Sequence, residues 1–163
     1  MTTDRPDGAA RGTGSSPAGP RPAELLELDR PTCLALLTSQ HVGRLVTEGP
    51  APAIRVVNYT AFDHVVIFRS DRGAHIDAIV DTPVVFEADM IDQRTHSGWS
   101  VVVRGVARDV SAHLDGFGLA GAAVEPWAPG PKDRWIGITI GEVTGRLLRG
   151  EVVADWVSPQ GYL

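Results

Sequence analysis

The sequence predicts a mainly β fold, a six-stranded antiparallel barrel with short flanking helices. Six segments rich in β-branched and aromatic residues recur along the chain, and little helical periodicity separates them. Most of the connectors between these segments are turn-like in composition. The 163 residues, 43% of them hydrophobic, are enough for one globular domain with a buried core.

The elements follow in order from the N-terminus. Residues 1–22 contain almost no large apolar side chain, so we expect a disordered arm. Asp29 fits the N-cap position of a short helix that has Pro31 in its first turn and ends near Gln40. The predicted strands span residues 42–47, 53–59, 65–70, 84–89, 99–110 and 135–144. The barrel domain is therefore expected over residues 23–150, followed by a tail over residues 151–163.

The connectors have the composition of turns and of one further helix. Residues 48–50 and 61–63 are typical of turns, whereas residues 73–80 are long and apolar enough for a short helix. Residues 111–131 form a mixed segment, with a short helix expected around Leu114 and a proline-rich loop at its end. Gly105, inside the fifth strand, indicates a bulge, a barrel bend or the close approach of a ligand.

Composition disfavours several classes of protein. The net charge of −5 and the scattered basic residues disfavour a nucleic-acid binder. Cys33 lies in an apolar run typical of a buried structural thiol, and the five histidines lack the spacing of a zinc site, so no metal is expected. The chain shows neither a signal peptide nor a membrane span of about 18 apolar residues, so we expect a cytoplasmic protein away from membranes.

Three segments, taken in order, carry a resemblance to a known family. They are residues 68–75 (FRSDRGAH), residues 84–89 (VVFEAD) and residues 97–108, which open on Ser-Gly-Trp-Ser and continue as a valine-rich strand. Together they resemble the pyridoxamine 5'-phosphate oxidase-like family of split-barrel flavoproteins, from about residue 28 to about residue 148. The resemblance implies a split β-barrel that binds flavin mononucleotide (FMN) at the interface of a homodimer.

The phosphate of FMN requires cations, hydroxyls and backbone N–H groups that converge on one point. Residues 68–75 have that layout, because Arg69 and Ser70 end a strand and a helix is expected to follow. Gly73 would permit close backbone approach, and His75 would lie in the first helical turn. The resemblance implies that Arg69, Ser70 and His75 bind the phosphate, and the alternative is an ordinary polar turn.

The flavin ring requires a flat apolar wall and polar groups at its pyrimidine edge. The resemblance implies that the end of the second strand lines the ring, with Asn58 and Tyr59 as side-chain contacts. The candidate residues in this strand are Arg55, Val56, Val57, Asn58 and Tyr59. The alternative is that Asn58 starts a turn. Trp99 and Ser100 begin the strand that in similar proteins reaches toward the flavin, with a core position for Trp99 as the alternative.

The implied function is that of an oxidoreductase, which passes hydride or electrons between a nicotinamide donor and a small-molecule acceptor. No catalytic side chain is assigned. The alternatives are a reductase that uses the deazaflavin F420, a non-enzymatic flavin- or haem-binding protein with His41 or His75 as the haem ligand, and an interaction module without a cofactor. Vitamin B6 oxidation is not expected, because true pyridoxamine 5'-phosphate oxidases carry a longer C-terminal segment with tryptophan and arginine residues.

Overall fold

A computed structural model describes residues 23–47, 52–62, 64–114 and 124–150. The expected arm, the tail and the turn at residues 48–50 lie outside the described residues, as does most of the helix expected around Leu114. The elements are β1 (Glu24–Leu28), α1 (Arg30–Thr38), β2 (Val42–Thr47), β3 (Ala53–Phe62), β4 (Val65–Ser70), α2 (Ala74–Asp77), β5 (Pro83–Asp92), β6 (Ser97–Asp109) and β7 (Arg134–Arg149).

Six of these strands close into an antiparallel barrel. Their order is β7, β4, β3, β2, β5 and β6, and β6 pairs back onto β7. The predicted fold class, a mainly β protein with a six-stranded antiparallel barrel and short helices, is therefore confirmed. β7 is central to the closure, because it pairs with β4 on one side and with β6 on the other.

An additional strand, β1, lies beside the barrel and was not predicted. It pairs with the last residues of β7, from Leu28 opposite Gly145 to Glu24 opposite Arg149. β3 is also longer than predicted, because Ala61 and Phe62 continue the pairing with β4 opposite Val66 and Val65. The turn predicted at residues 61–63 is therefore wrong for Ala61 and Phe62, which belong to β3: strand pairing and the burial of Ala61 prevail over local composition.

Gly105 lies at a β-bulge, one of the three interpretations open from the sequence. The register between β6 and β7 shifts between Arg104 and Gly105, which leaves Gly141 of β7 as the additional residue. A side chain at Gly105 would collide with the backbone carbonyl of Thr139, so the strands approach closely at this point. The bulge bends the two longest strands of the barrel at a position that only glycine accommodates.

Helix α1 begins and packs as the sequence predicts. The Asp29 side chain accepts a hydrogen bond from the backbone N–H of Thr32 at 2.9 Å, which satisfies a donor of the first turn. Cys33 is fully buried, and burial raises the pKa of its thiol. A Cβ atom at Gly145 would lie 2.6 Å from Sγ of Cys33, so the glycine lets the helix pack directly on β7. Neither helix of the described residues is long and apolar enough to cross a membrane.

The barrel core is built from the alternate, inward-facing residues of the strands. Tyr59 and Phe86 meet edge to face inside it, with ring centroids 4.8 Å apart. The Tyr59 hydroxyl donates a hydrogen bond to the backbone carbonyl of Leu37 at 2.8 Å, and this bond ties the end of α1 to β3. Burial raises the pKa of Tyr59, so the phenol stays protonated and remains the donor of this bond.

Replacing Tyr59 with phenylalanine tests this tie between helix and barrel. Tyr59→Phe leaves the Leu37 carbonyl without its partner and should lower the free energy of unfolding by about 1 to 3 kcal/mol. Urea unfolding followed by circular dichroism measures the change. An unchanged unfolding midpoint would show that the hydrogen bond contributes nothing to stability.

Candidate functional site

The barrel opens along one side, where β3 and β4 separate. The two strands pair only between Tyr59–Phe62 and Val65–Phe68. Beyond that point β4 continues through Arg69 and Ser70, which pair with β7, while residues 53–58 of β3 pair with β2. We call the gap between residues 53–58 of β3 and Arg69–Ser70 of β4 the split. No described strand fills it.

The backbone of β3 presents unpaired polar groups to the split. The N–H of Tyr59 donates to the carbonyl of His41, which begins the ladder with β2. Hydrogen bonding alternates along an antiparallel pair, so every second residue back from Tyr59 also faces β2. The N–H and C=O groups of Ile54 and Val56 therefore face the split, where a ligand with a polar edge can bond to them.

A cavity of about 170 Å³ occupies the split. Its floor is apolar, because Leu45, Phe68 and Ile76 lie there and are at most 2% exposed. The lining residues are Leu45, Arg55, Val56, Val57, Asn58, Phe68, Arg69, Ser70, Asp71, His75, Ile76, Pro126, Ala128 and Lys132. The cavity thus combines an apolar floor, a backbone edge and a polar end, which suits a flat ligand that carries an anionic group.

Residues 124–133 close the cavity from outside, and we call this segment the strap. Its N-terminal residue, Val124, is buried. The backbone N–H of Trp127 donates to Oδ1 of Asn58 at 2.9 Å, and the backbone carbonyl of Lys132 accepts from Nε of Arg69 at 2.8 Å. The strap is therefore fastened to β3 at one end and to β4 at the other.

The polar end of the cavity lies where β4 ends. Arg69 is held by its bond to Lys132, and its guanidinium lies 5.1 Å from the ring centroid of Trp135. The hydroxyl of Ser70 donates to Oδ1 of Asp71 at 3.1 Å. This hydrogen bond, together with the charge of Lys132, lowers the pKa of Asp71, so its carboxylate is ionised at neutral pH.

Positive charge dominates the cavity. Arg55, Arg69 and Lys132 carry three fixed positive charges, and Asp71 carries the one negative charge among the lining residues. Such an excess favours an anionic ligand over a neutral or cationic one. Lys132 is the one lysine of the chain, but it was not predicted as a site residue, because only the folded strap brings it to the end of β4.

His75 reaches the cavity from α2, a helix of a single turn. The guanidinium of Arg134 bonds to Asp77 of this helix and to Asp109 of β6, the latter at 2.8 Å, and so holds α2 against the barrel. A methyl group at Gly73 would lie 3.4 Å from Nδ1 of His75, an ordinary contact. Neither space nor backbone conformation therefore requires glycine at position 73.

The predicted site residues lie in three places: the cavity, the barrel core and a separate groove on the outer face of the barrel. Those that line the cavity are Arg55, Val56, Val57, Asn58, Arg69, Ser70 and His75, and Gly73 lies beside them. The side chains of Tyr59 and Trp99 point into the barrel core and are 1% and 5% exposed. Trp127 is 72% exposed between two residues of the cavity wall. His41, the other candidate haem ligand, does not line the cavity.

Ser100 lies apart from the cavity, in a groove on the outer face of β6 and β7. The groove has a volume of about 490 Å³ and contains two cationic side chains, Arg104 and Arg146. Its lining residues are Glu27, Leu28, Ser100, Val102, Arg104, Val143, Thr144, Gly145 and Arg146. Trp99 and Ser100 are neighbours in sequence, but strand geometry sends them to opposite faces of the sheet.

Comparisons with known proteins agree with this architecture. A family model described as pyridoxamine 5'-phosphate oxidase matches residues 29–147. The uncharacterized protein Rv0080 of Mycobacterium tuberculosis is 36% identical over 154 residues, which are 90% of this chain and 98% of that protein.

Two solved structures are similar along nearly their whole length. The FAD binding protein from Mycobacterium smegmatis is 28% identical with a TM-score of 0.59, over 77% of this chain and 100% of that one. A conserved protein of unknown function from Corynebacterium diphtheriae is 30% identical with a TM-score of 0.62, over 76% of this chain and 97% of that one.

The bond between Asn58 and the strap is open to a direct test. Asn58→Ala removes the acceptor of the Trp127 N–H, so backbone amides of residues 124–133 should exchange about tenfold faster with solvent. Hydrogen exchange followed by mass spectrometry measures the rate, and Asn58→Asp, which retains an acceptor oxygen, is the matched control. Equal exchange in all three proteins would mean that the bond does not hold the strap.

Proposed function

The chain belongs to the pyridoxamine 5'-phosphate oxidase family, and on that premise we propose that it binds a flavin in the split and acts as an oxidoreductase. The family match spans the strands and the helix that line the cavity. The relative from Mycobacterium smegmatis, 28% identical, is described as an FAD binding protein. Both findings support a flavin as the ligand of this cavity.

The observation that carries this proposal is that the free backbone edge of β3 and a cationic end occur together in one cavity. The backbone groups of Ile54 and Val56 face the split, and the pyrimidine edge of a flavin carries the donors and acceptors that would bond to them. The apolar floor, with Phe68 and Leu45, suits the flat ring. A phosphate attached to the ring system would lie at the cationic end.

FMN is the flavin that we propose, because the cationic end is compact. Ser70 offers a hydroxyl and Arg69 a guanidinium beside His75, within one short stretch of chain. When bound, the flavin supplies the redox chemistry, which takes hydride from a nicotinamide donor and reduces a small-molecule acceptor. The contribution of this chain is to hold the phosphate, to orient the ring on its apolar floor and to exclude water from it.

The absorption spectrum of the purified protein and the mass of the released chromophore test the proposal. We expect the two visible bands of oxidised flavin, FMN in the released fraction, and bleaching by NADH or NADPH without oxygen. FAD in the released fraction would identify FAD rather than FMN as the cofactor, in line with the FAD binding protein from Mycobacterium smegmatis. A flavin that neither nucleotide reduces would favour a non-enzymatic binding protein.

Two other results would overturn the flavin proposal. A Soret band would identify haem as the cofactor. A colourless protein that binds neither FMN nor FAD, but quenches the fluorescence of added F420, would indicate a deazaflavin reductase. The positive charge of the cavity accommodates the acidic tail of F420 as well as a phosphate, so only the titration separates the two.

We further propose that the functional unit is a homodimer. The cavity of about 170 Å³ is smaller than typical ligand sites of roughly 300 to 1,000 Å³, so one chain encloses only part of a flavin. Ile54 and Val56, on the outer face of β3 at the split, are each 70% exposed. A second copy that packs on these side chains would bury them and cover the rest of the ring.

A charged side chain at this surface tests the homodimer. Ile54→Asp should convert the dimer to a monomer and weaken flavin binding by about tenfold or more, because a carboxylate would be buried at the interface. Light scattering after size-exclusion chromatography measures the mass. Met90→Asp is the matched control. Met90 is 48% exposed, but it is paired with Trp99, whose side chain points into the barrel, so Met90 lies on the inner face of the sheet whereas Ile54 lies on the outer face. A dimeric Ile54→Asp protein would exclude this surface as the interface.

A further inference from the structure

Lys132 is the one lysine of the chain and lies at the polar end of the cavity. Its side chain is only 18% exposed, which is low for a lysine. Its Nζ lies 3.8 Å from Oδ2 of Asp71, beyond the length of a normal hydrogen bond. The side chain is thus mostly covered, and its ammonium group is only loosely paired.

The neighbours of Lys132 leave its donors available. An ammonium group has three N–H donors, and within the described residues Asp71 is the acidic group that pairs with it. Asp71 is itself engaged elsewhere, since Oδ1 accepts the hydroxyl of Ser70 at 3.1 Å. An ammonium group with unused donors forms charge-assisted hydrogen bonds when a closer anion reaches it.

Arg69 is more constrained than Lys132. Its Nε is committed to the backbone carbonyl of Lys132, and its guanidinium lies over the ring of Trp135. Movement of Arg69 toward an anion would break the bond that fastens the strap to β4. Lys132 can turn its side chain from Asp71 toward the cavity while its backbone carbonyl keeps that bond.

We propose that Lys132 binds the phosphate of the ligand and that this phosphate replaces Asp71 as the partner of the ammonium group. The inference rests on the proposed function, because it assigns a residue to the phosphate end of the same cavity. It also gives Asp71 a role, as the resting counter-ion that is displaced on binding. The strap then contacts the ligand through one of its own residues, so phosphate binding holds the strap closed.

A comparison of two flavins isolates the contribution of Lys132. Riboflavin lacks the phosphate. Lys132→Met should therefore weaken the binding of FMN by about tenfold or more and change the affinity for riboflavin by less than about twofold. Lys132→Arg should retain most of the FMN affinity, and Asp71→Asn should raise it, because the competing carboxylate is gone. Isothermal titration calorimetry on the apoprotein measures all of these dissociation constants.

The matched control is Arg72→Met. Arg72 is next to Asp71 and pairs with Asp133 at 3.4 Å, but it is exposed and does not line the cavity. Arg72→Met also removes one positive charge, beside Asp71, and should leave the affinities for both flavins unchanged. An equal loss of FMN and riboflavin in Lys132→Met would indicate a purely structural role in the strap, and unchanged FMN affinity would place the phosphate elsewhere. Either result overturns the inference and leaves the flavin proposal standing.

A second measurement needs no flavin. Reductive methylation with ¹³C-formaldehyde labels only Lys132 and the N-terminal amine, so each gives its own NMR signal. Titration with inorganic phosphate should shift the Lys132 signal saturably, and more strongly in Asp71→Asn. A shift without flavin binding would support an anion site at Lys132 while the flavin proposal fails, and the absence of a shift would overturn the inference.

Discussion

Beyond the pair formed by Tyr59 and Phe68, β3 and β4 share no further paired residues, and the candidate site depends on this separation. A strand edge with unpaired N–H and C=O groups is costly unless something bonds to it. The strap bonds to the side chain of Asn58 but leaves the backbone groups of Ile54 and Val56 facing the split. The same separation therefore creates the space for a ligand and the groups that orient it.

The charges follow from where the strands end. β4 delivers Arg69 and Ser70 to one end of the split, and the strap adds Lys132 through a single backbone hydrogen bond to Arg69. Arg134 stabilises this end from behind, because it holds α2 and its His75 against the barrel. The polar end of the cavity is thus assembled from three segments that are far apart in sequence.

Local pattern predicted most of the barrel, whereas long-range contacts decided what it missed. β2 and β4 have the predicted bounds, whereas β1 is a five-residue strand stabilised by pairing with a distant part of the chain. Lys132 was missed for the same reason. Tyr59 and Asn58 were both predicted to contact the flavin ring. Alternation along the strand instead sends Tyr59 into the core and Asn58 to the outer face.

The most direct test of the split is residue-resolved amide exchange by NMR, with and without FMN. Val56 should exchange rapidly in the apoprotein, while Arg55 and Val57, bonded to β2, exchange slowly. Added FMN should protect Val56 and leave its two neighbours unchanged. Slow exchange of Val56 without ligand, or no protection when FMN is bound, would contradict the conclusion that the free edge of β3 is the surface that binds the ligand.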